Sequence, residues 1–209
     1  MKLIEVKSLA IPDVKVIRFG RFADHRGYFT ESFRKSDFWE HPEMGFMEGV
    51  EFVQANESFS KKGTFRGMHF QWNPYMGKLV RPLTGRMIDF VLDIRKGSPT
   101  FGKAIGYDLP VDPSADFAEW IWVPVGFAHG VLLTEDSLIE YMCSGHYSPG
   151  CEGGIAPLAQ DIDWSLCNPG LKGEFDAVVP ATKLMTDKDR DGFTLASWSA
   201  DERSANFVY

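Results

Sequence analysis

The chain has no uninterrupted apolar run of roughly 18 residues, the length that crosses a bilayer as a helix. Its richest stretch, Trp120 to Leu133, is broken by Pro124, Gly126 and His129. A secretory leader pattern is also missing, because the opening MKLIEVKSLAIPDV interrupts its apolar residues with Glu5 and Lys7. These absences set the expectation of no membrane partner and a cytoplasmic location. Cysteine is scarce. Cys143, Cys151 and Cys167 form no CxxC pair and match no zinc spacing, which excludes a disulfide framework and a structural zinc centre. Reduced thiols fit a cytoplasmic protein. Positive charge is short as well: 22 Lys and Arg face 29 Asp and Glu, a formal net charge of −7, and the longest basic cluster is Lys61-Lys62. Nucleic acid is therefore not an expected partner, whereas a small phosphorylated molecule in a locally basic pocket is compatible with this balance. Internal repeats and low-complexity tracts are absent too.

What is present is a globular composition, 44% apolar and 24% charged over 209 residues, enough to bury a core without staples. Short β-type runs dominate: Val14–Phe19, Gly27–Phe33, Glu51–Glu57, Gly63–Gln71, Lys78–Leu83, Arg86–Arg95, Ala104–Leu109, Ala118–Val123, Ala128–Leu133 and Leu138–Ser144. Gly, Pro, Asn or Asp punctuates most gaps, a pattern of all-β sandwiches and barrels. In Arg86–Arg95, period two places Ile88, Phe90, Leu92 and Ile94 on one face and Met87, Asp89, Val91, Asp93 and Arg95 on the other. Helix is expected only over Lys35–His41, with Ser36 as N-cap. With no Gly/Ser/Pro linker in view, residues 1–209 read as one domain, on which 165–209 packs as an irregular C-terminal extension.

Chemistry-bearing residues concentrate in three segments. In Thr64-Phe65-Arg66-Gly67-Met68-His69-Phe70-Gln71, strand alternation puts His69 and Gln71 on the face of Gly67 and Phe65, with Arg66 opposite unless a bulge at Gly67 re-aims it. His69 alone reads equally as a hydrogen-bonded histidine. The segment Pro124-Val125-Gly126-Phe127-Ala128-His129-Gly130 resembles the second conserved motif of the cupin superfamily, a jelly-roll barrel. Metal-binding cupins also carry an H-x-H pair. Here His69 is followed at i+2 by Gln71, a thin ligand set, and no metal is expected. The third segment holds Tyr141, His146, Tyr147 and Glu152.

Taken together and in order, Phe22 to Ser32, Phe52 to Asn56, Arg66 to Gln71, Gly77 to Val80, Asp93 to Gly102, Gly126 to Gly130 and Tyr147 to Gly153 resemble the dTDP-4-dehydrorhamnose 3,5-epimerase family. The resemblance implies a jelly-roll fold, no cofactor, a homodimer, and a nucleotide-diphosphate sugar as substrate. It implies inversion at C3 and/or C5 of a 4-keto-6-deoxyhexose, with dTDP-4-dehydro-6-deoxy-D-glucose becoming dTDP-4-dehydro-L-rhamnose. By the same resemblance His69 is the base, Asp189 in Thr186-Asp187-Lys188-Asp189 its orienter, Tyr141 the proton donor and Lys78 the oxyanion stabiliser. Asp161, Asp163 and Asp176 are rivals to Asp189. His129 and Asp89 match a second His–Asp pair beside the sugar, which also reads as a structural hydrogen bond. Substrate contacts are implied at Arg26, Glu31, Gln54, Asn56, Arg66, Glu152 and Lys188. Tyr147 would stack on the nucleobase, with Phe22 as a further apolar wall and His146 beside it. Departures from the family pattern fall at Glu57, Met76, Val131 and His146. They leave open a CDP- or GDP-linked sugar, inversion of one centre only, a 3,4-ketoisomerase, and a non-catalytic sugar-nucleotide-binding jelly roll.

Overall fold

The structure, a computed structural model, describes all 209 residues. In chain order the strands are β1 (Leu3–Ser8), β2 (Lys15–Gly20), β3 (Phe22–Asp24), β4 (Gly27–Phe29), β5 (Gln54–Ser60), β6 (Phe65–Gln71), β7 (Lys78–Thr84), β8 (Arg86–Asp93), β9 (Ala104–Pro110), β10 (Phe117–Val123), β11 (Phe127–Leu133), β12 (Ser137–Cys143) and β13 (Glu152–Gly154). The helices are α1 (Lys35–Glu40), α2 (Pro169–Val178), α3 (Asp187–Arg190) and α4 (Leu195–Ala200). Two antiparallel sheets face each other, ordered β1-β2-β10-β7-β12-β5 and β13-β6-β11-β8-β9, and β3–β4 forms a separate hairpin. This is the expected all-β jelly roll.

Three apolar layers hold it together. Between the sheets, Val80, Ile121 and Ile139 meet Met87, Val91 and Val131. Outside the smaller sheet, Ile88, Phe90 and Leu92 lie under the C-terminal segment through Phe175, Trp198 and Phe207. Outside the larger sheet, Leu79, Trp120 and Trp122 are covered by Phe38, Met44 and Met47. The alternation read in β8 is present, and both of its faces are buried because each meets its own apolar layer. The inner faces change character along the strands. Lys78 precedes Val80 by two residues, Tyr141 follows Ile139 by two, and His129 precedes Val131 by two. Period-two alternation therefore carries apolar residues at one end of the barrel bore and polar ones at the other.

Several elements differ from expectation. The strand expected over Gly27–Phe33 is only β4, paired with β3, and the one expected over Glu51–Glu57 forms as Gln54–Ser60. The first helix starts after Arg34, with no side-chain cap, so Ser36 is not its N-cap. Its entry is fixed instead by Phe33, whose ring lies 4.9 Å from that of Phe38, a hydrophobic staple between N′ and N4. The segment expected to be irregular after residue 165 holds three short helices. Asn168 Oδ1 accepts from the Gly170 and Leu171 N–H groups ahead of α2, and a Thr194–Ser197 capping box opens α4.

Candidate active site

The strand β6 is bulged. His69 lies opposite His129, but Arg66 lies opposite Val131, so an extra β6 residue is accommodated. As a result Arg66 and His69 both line the bore, while Phe65, Met68 and Phe70 pack in the outer layer. The plain alternation that would group Phe65 with His69 is thus overturned, and the bulge at Gly67 applies. Gly67 has φ +133°, and a Cβ there would stand 2.4 Å from Gly130 Cα. Only glycine permits that backbone and that approach.

The polar end of the bore opens into a cleft with two lobes, of 320 and 300 Å³. The residues common to both lobes are His69, Lys78 and Tyr141. One lobe adds Gln54, Asn56, Tyr147 and Glu152, with Met76 and Cys143. The other adds Arg66, His129, Thr186, Lys188 and Asp189.

His69 Nε2 lies 2.5 Å from Asp189 Oδ1, and its Nδ1 makes no hydrogen bond within the protein. The carboxylate stands where it does because Thr186 caps α3, its Oγ1 accepting from the Asp189 N–H at 3.3 Å. Threonine serves here as serine would. Burial pushes the Asp189 carboxyl up, but His69, Thr186 and the Gly67 backbone N–H outweigh it and leave it below the usual carboxylate range. Desolvation lowers the Lys78 ammonium from its ordinary value, against the pull of Cys143, Asp89 and Glu152. The Lys78 side chain is half-buried and lines both lobes. The Tyr141 phenol is pushed up by burial and by Cys143, and Arg66 and Asn56 oppose this. An anionic oxygen placed at the waist of the cleft would meet a desolvated ammonium, with a carboxylate-oriented imidazole and a phenol close by. That set can remove a proton from carbon, hold the enolate and return a proton.

A family model described as dTDP-4-dehydrorhamnose 3,5-epimerase matches residues 8–197. The chain belongs to the dTDP-4-dehydrorhamnose 3,5-epimerase family. It is 40% identical over 193 residues to the Shigella flexneri dTDP-4-dehydrorhamnose 3,5-epimerase, covering 90% of this chain and 94% of that one. Among solved structures, the Legionella pneumophila dTDP-6-deoxy-D-glucose-3,5-epimerase in complex with dTDP-4-keto-L-rhamnose superposes with a TM-score of 0.76 at 32% identity, over 92% of this chain and 93% of that one. A Streptomyces bikiniensis 3'-monoepimerase in complex with dTDP-quinovose superposes with a TM-score of 0.74 at 28% identity, over 92% and 89%.

Among the positions singled out from the epimerase pattern, Asp89 lies behind the second lobe. It is fully buried, with Oδ2 2.7 Å from His129 Nε2. Phe22, Arg26, Glu31 and His146 do not line the cleft. Arg26 is at the exposed turn of the β3–β4 hairpin, paired with Asp24, and Glu31 is bound by Arg34 and the N-terminal ammonium. The His146 side chain is exposed, and Glu57 points outward on β5, alternating with inward Asn56 and Ser58. The rivals to Asp189 have other partners: Asp161 caps Leu195 and Ala196, Asp163 holds the Ser165 N–H, and Asp176 pairs with Lys172. The epimerase string Asp93 to Gly102 proves architectural. Buried Asp93 accepts from Arg95, Ser98 and Thr100 and so fixes the turn after β8.

Residue-type reasoning missed Cys143 as a lining group, whereas Met76, singled out as a departure from the family pattern, does line the first lobe. The signal for Cys143 was its i+2 spacing from Tyr141, which puts both on the inner face of β12. No group of three or more His, Cys, Asp and Glu side chains converges in a metal-binding arrangement, and no helix is long and apolar enough to cross a membrane.

Proposed function

We propose that this cleft epimerises C3 and C5 of dTDP-4-dehydro-6-deoxy-D-glucose to give dTDP-4-dehydro-L-rhamnose. The observation that carries the reading is the convergence of His69, Lys78 and Tyr141 at the waist shared by the two lobes. Asp189, held ionised, fixes the proton of His69 on Nε2, which makes Nδ1 the basic nitrogen. Nδ1 takes the proton from the carbon beside the C4 ketone. The electron pair moves onto O4, where the Lys78 ammonium stabilises the enolate, and Tyr141 returns a proton to the opposite face of the carbon. Proton exchange with solvent then restores the imidazole and the phenol. Only protons move, so the step calls for no redox cofactor. The sugar occupies the lobe of Arg66, His129 and Lys188, where the Arg66 guanidinium and the Lys188 ammonium also suit a diphosphate. The nucleobase stacks on Tyr147, with Gln54, Asn56 and Glu152 at its edges.

The enzyme works as a homodimer in the cytoplasm. The β3–β4 hairpin supports the first part: Phe22, Tyr28 and Phe29 are exposed apolar residues on it. In a dimer, Arg26 and Glu31 would complete a partner's cleft. Unpaired cysteines support the second part.

Proton NMR in D2O with dTDP-4-dehydro-6-deoxy-D-glucose tests the reaction. Deuterium is expected at C3 and C5 together with the inverted product. Exchange at C3 alone would reassign the protein to single-centre inversion, and no exchange would overturn the reading. Tyr141→Phe is expected to keep deuterium wash-in and to lose net inversion.

A further inference from the structure

Gln71 lies two residues beyond His69 on β6 and is 4% exposed. Both N–H donors and the oxygen of its amide are engaged. Nε2 donates to the Pro74 carbonyl at 2.8 Å and to the His146 carbonyl at 2.9 Å, and Oε1 accepts from the Ser148 N–H at 3.0 Å. Two carbonyls and one N–H around the group leave a single amide orientation that satisfies all of them. Across the lobe, Gln54 Oε1 accepts from the Tyr147 N–H at 3.0 Å. The loop that carries Tyr147 is therefore held on both sides, and the loop that carries Met76 is tied to the same amide. The two loops also press together directly, since a Cβ on Gly145 would stand 2.4 Å from the Tyr75 carbonyl oxygen.

We infer that Gln71 is a positioning residue for nucleotide binding, one that fixes the Tyr147 and Met76 loops relative to the strand bearing His69. This rests on the function proposed above. Gln71 acts by placing Tyr147, with no contact to the reacting carbon required. It joins the group that grips the remote part of the substrate to the strand that performs the chemistry, and because that grip is the same in the ground state and the transition state its loss shows in KM and not in kcat. A merely space-filling residue at this point would tolerate an isosteric change. A positioning residue would not, because the Pro74 and His146 carbonyls would lose the donors that tie their loops to β6.

The test is Gln71→Glu in the full-length protein, which keeps the volume and the acceptor for Ser148 but removes both donors, with Gln71→Met as the volume-matched second variant. Two readouts are taken. Amide hydrogen exchange on the ligand-free protein is expected to speed up by about tenfold or more at residues 144–148 and at Asn73, Tyr75 and Met76, with the β8 and β11 amides unchanged. Titration with dTDP and steady-state kinetics are expected to show dTDP affinity falling and KM rising by about 10- to 100-fold in both variants, with kcat within about threefold. Exchange in both loops unchanged from wild type would overturn the inference whatever the substrate is. Faster loop exchange with dTDP affinity unchanged in a protein that does bind dTDP would overturn it as well. Failure of the unaltered protein to bind dTDP would instead overturn the assigned nucleotide. The exchange readout would then still decide whether Gln71 holds the loops.

Discussion

The molecule holds two His–Asp pairs of nearly the same length, His69–Asp189 at 2.5 Å and His129–Asp89 at 2.7 Å, in opposite settings. His69 keeps 32% of its side chain exposed in the cleft, and its carboxylate comes from a capped helix late in the chain. His129 and Asp89 come from adjacent strands and are 10% and 0% exposed. The Asp189 carboxyl ends below its ordinary range because several donors converge on it, after burial alone would have raised it. The Asp89 carboxyl is pushed up by burial, more than His129 and Lys78 pull it back, and its Oδ1 has no hydrogen-bond partner. Pair geometry does not decide role. An imidazole needs access to substrate and a firmly ionised partner to act as a base, and only the first pair has both. The second pair is built to stay put.

The comparison breaks most decisively at His69. His69→Ala is expected to lower epimerisation and carbon-proton exchange by about 10²–10⁴-fold or more while the melting midpoint stays within a few degrees. Near-normal deuterium wash-in by this variant would remove the basis for calling the exposed pair the catalytic one. Asp189→Asn comes next. An amide cannot hold the Nε2 proton as a carboxylate does, so kcat is expected to fall by about 10²-fold. Dissociation of dTDP should change little, as titration calorimetry would show. A variant that loses nucleotide binding and keeps kcat would make Asp189 part of the binding wall instead.

Asp89→Ala tests the other side. Leaving the His129 ring nitrogen buried without its partner is expected to cost about 1–3 kcal/mol of stability, read from the denaturant midpoint. The double variant Asp89→Leu/His129→Leu should recover part of that, because replacing both members of a buried pair is cheaper than breaking it. Turnover in Asp89→Ala at low temperature should stay within about tenfold of wild type, a far smaller loss than at His69. A larger catalytic loss than the one at Asp189 would invert the assignment of the two pairs.

Much of this site was legible through the family resemblance, which supplied His69, Lys78, Tyr141 and His129, and strand alternation accounts for where most of them point because it is local. Lys78 with Val80, Tyr141 with Ile139 and His129 with Val131 follow from period two once the strands are placed. Arg66 with His69 does not. Their shared face depends on the β6 bulge, and the bulge depends on Gly67 meeting Gly130, a contact between strands far apart in the chain. The tail was harder for a different reason. The helix α2 spans ten residues and owes its position to Phe175 packing against Phe65, Phe90 and Trp164, a tertiary effect that propensity does not carry. Its start was readable, since Asn168-Pro169 is a strong cap-and-N1 signal. The paired role of Gln71 was invisible, because its partners are all backbone groups of loops whose return to β6 no pattern announces.

The smallest expected effect lies at Lys78, the residue on which the two pairs converge. It lines both lobes with His69 and feels the Asp89 carboxylate from behind. Burial lowers its ammonium from the ordinary lysine value of 10.5, chiefly through desolvation, with Cys143, Asp89 and Glu152 acting in the opposite direction. In the proposed reaction it is the charged form that holds the enolate. Activity should therefore be retained on the acid side of the Lys78 pKa and lost as pH rises through it, at a pH below that of a solvated lysine. A profile of kcat against pH is expected to show that alkaline limb. Lys78→Arg should move the limb upward out of range, because a guanidinium stays charged, at a reduced plateau set by its bulkier, planar head. Removing Asp89 withdraws a neighbour that favours the cation, so Asp89→Ala should shift the limb slightly down. If the limb is unmoved in Lys78→Arg, another group titrates there, with Tyr141 the first alternative. The ammonium would then be a binding contact whose charge does not enter the rate.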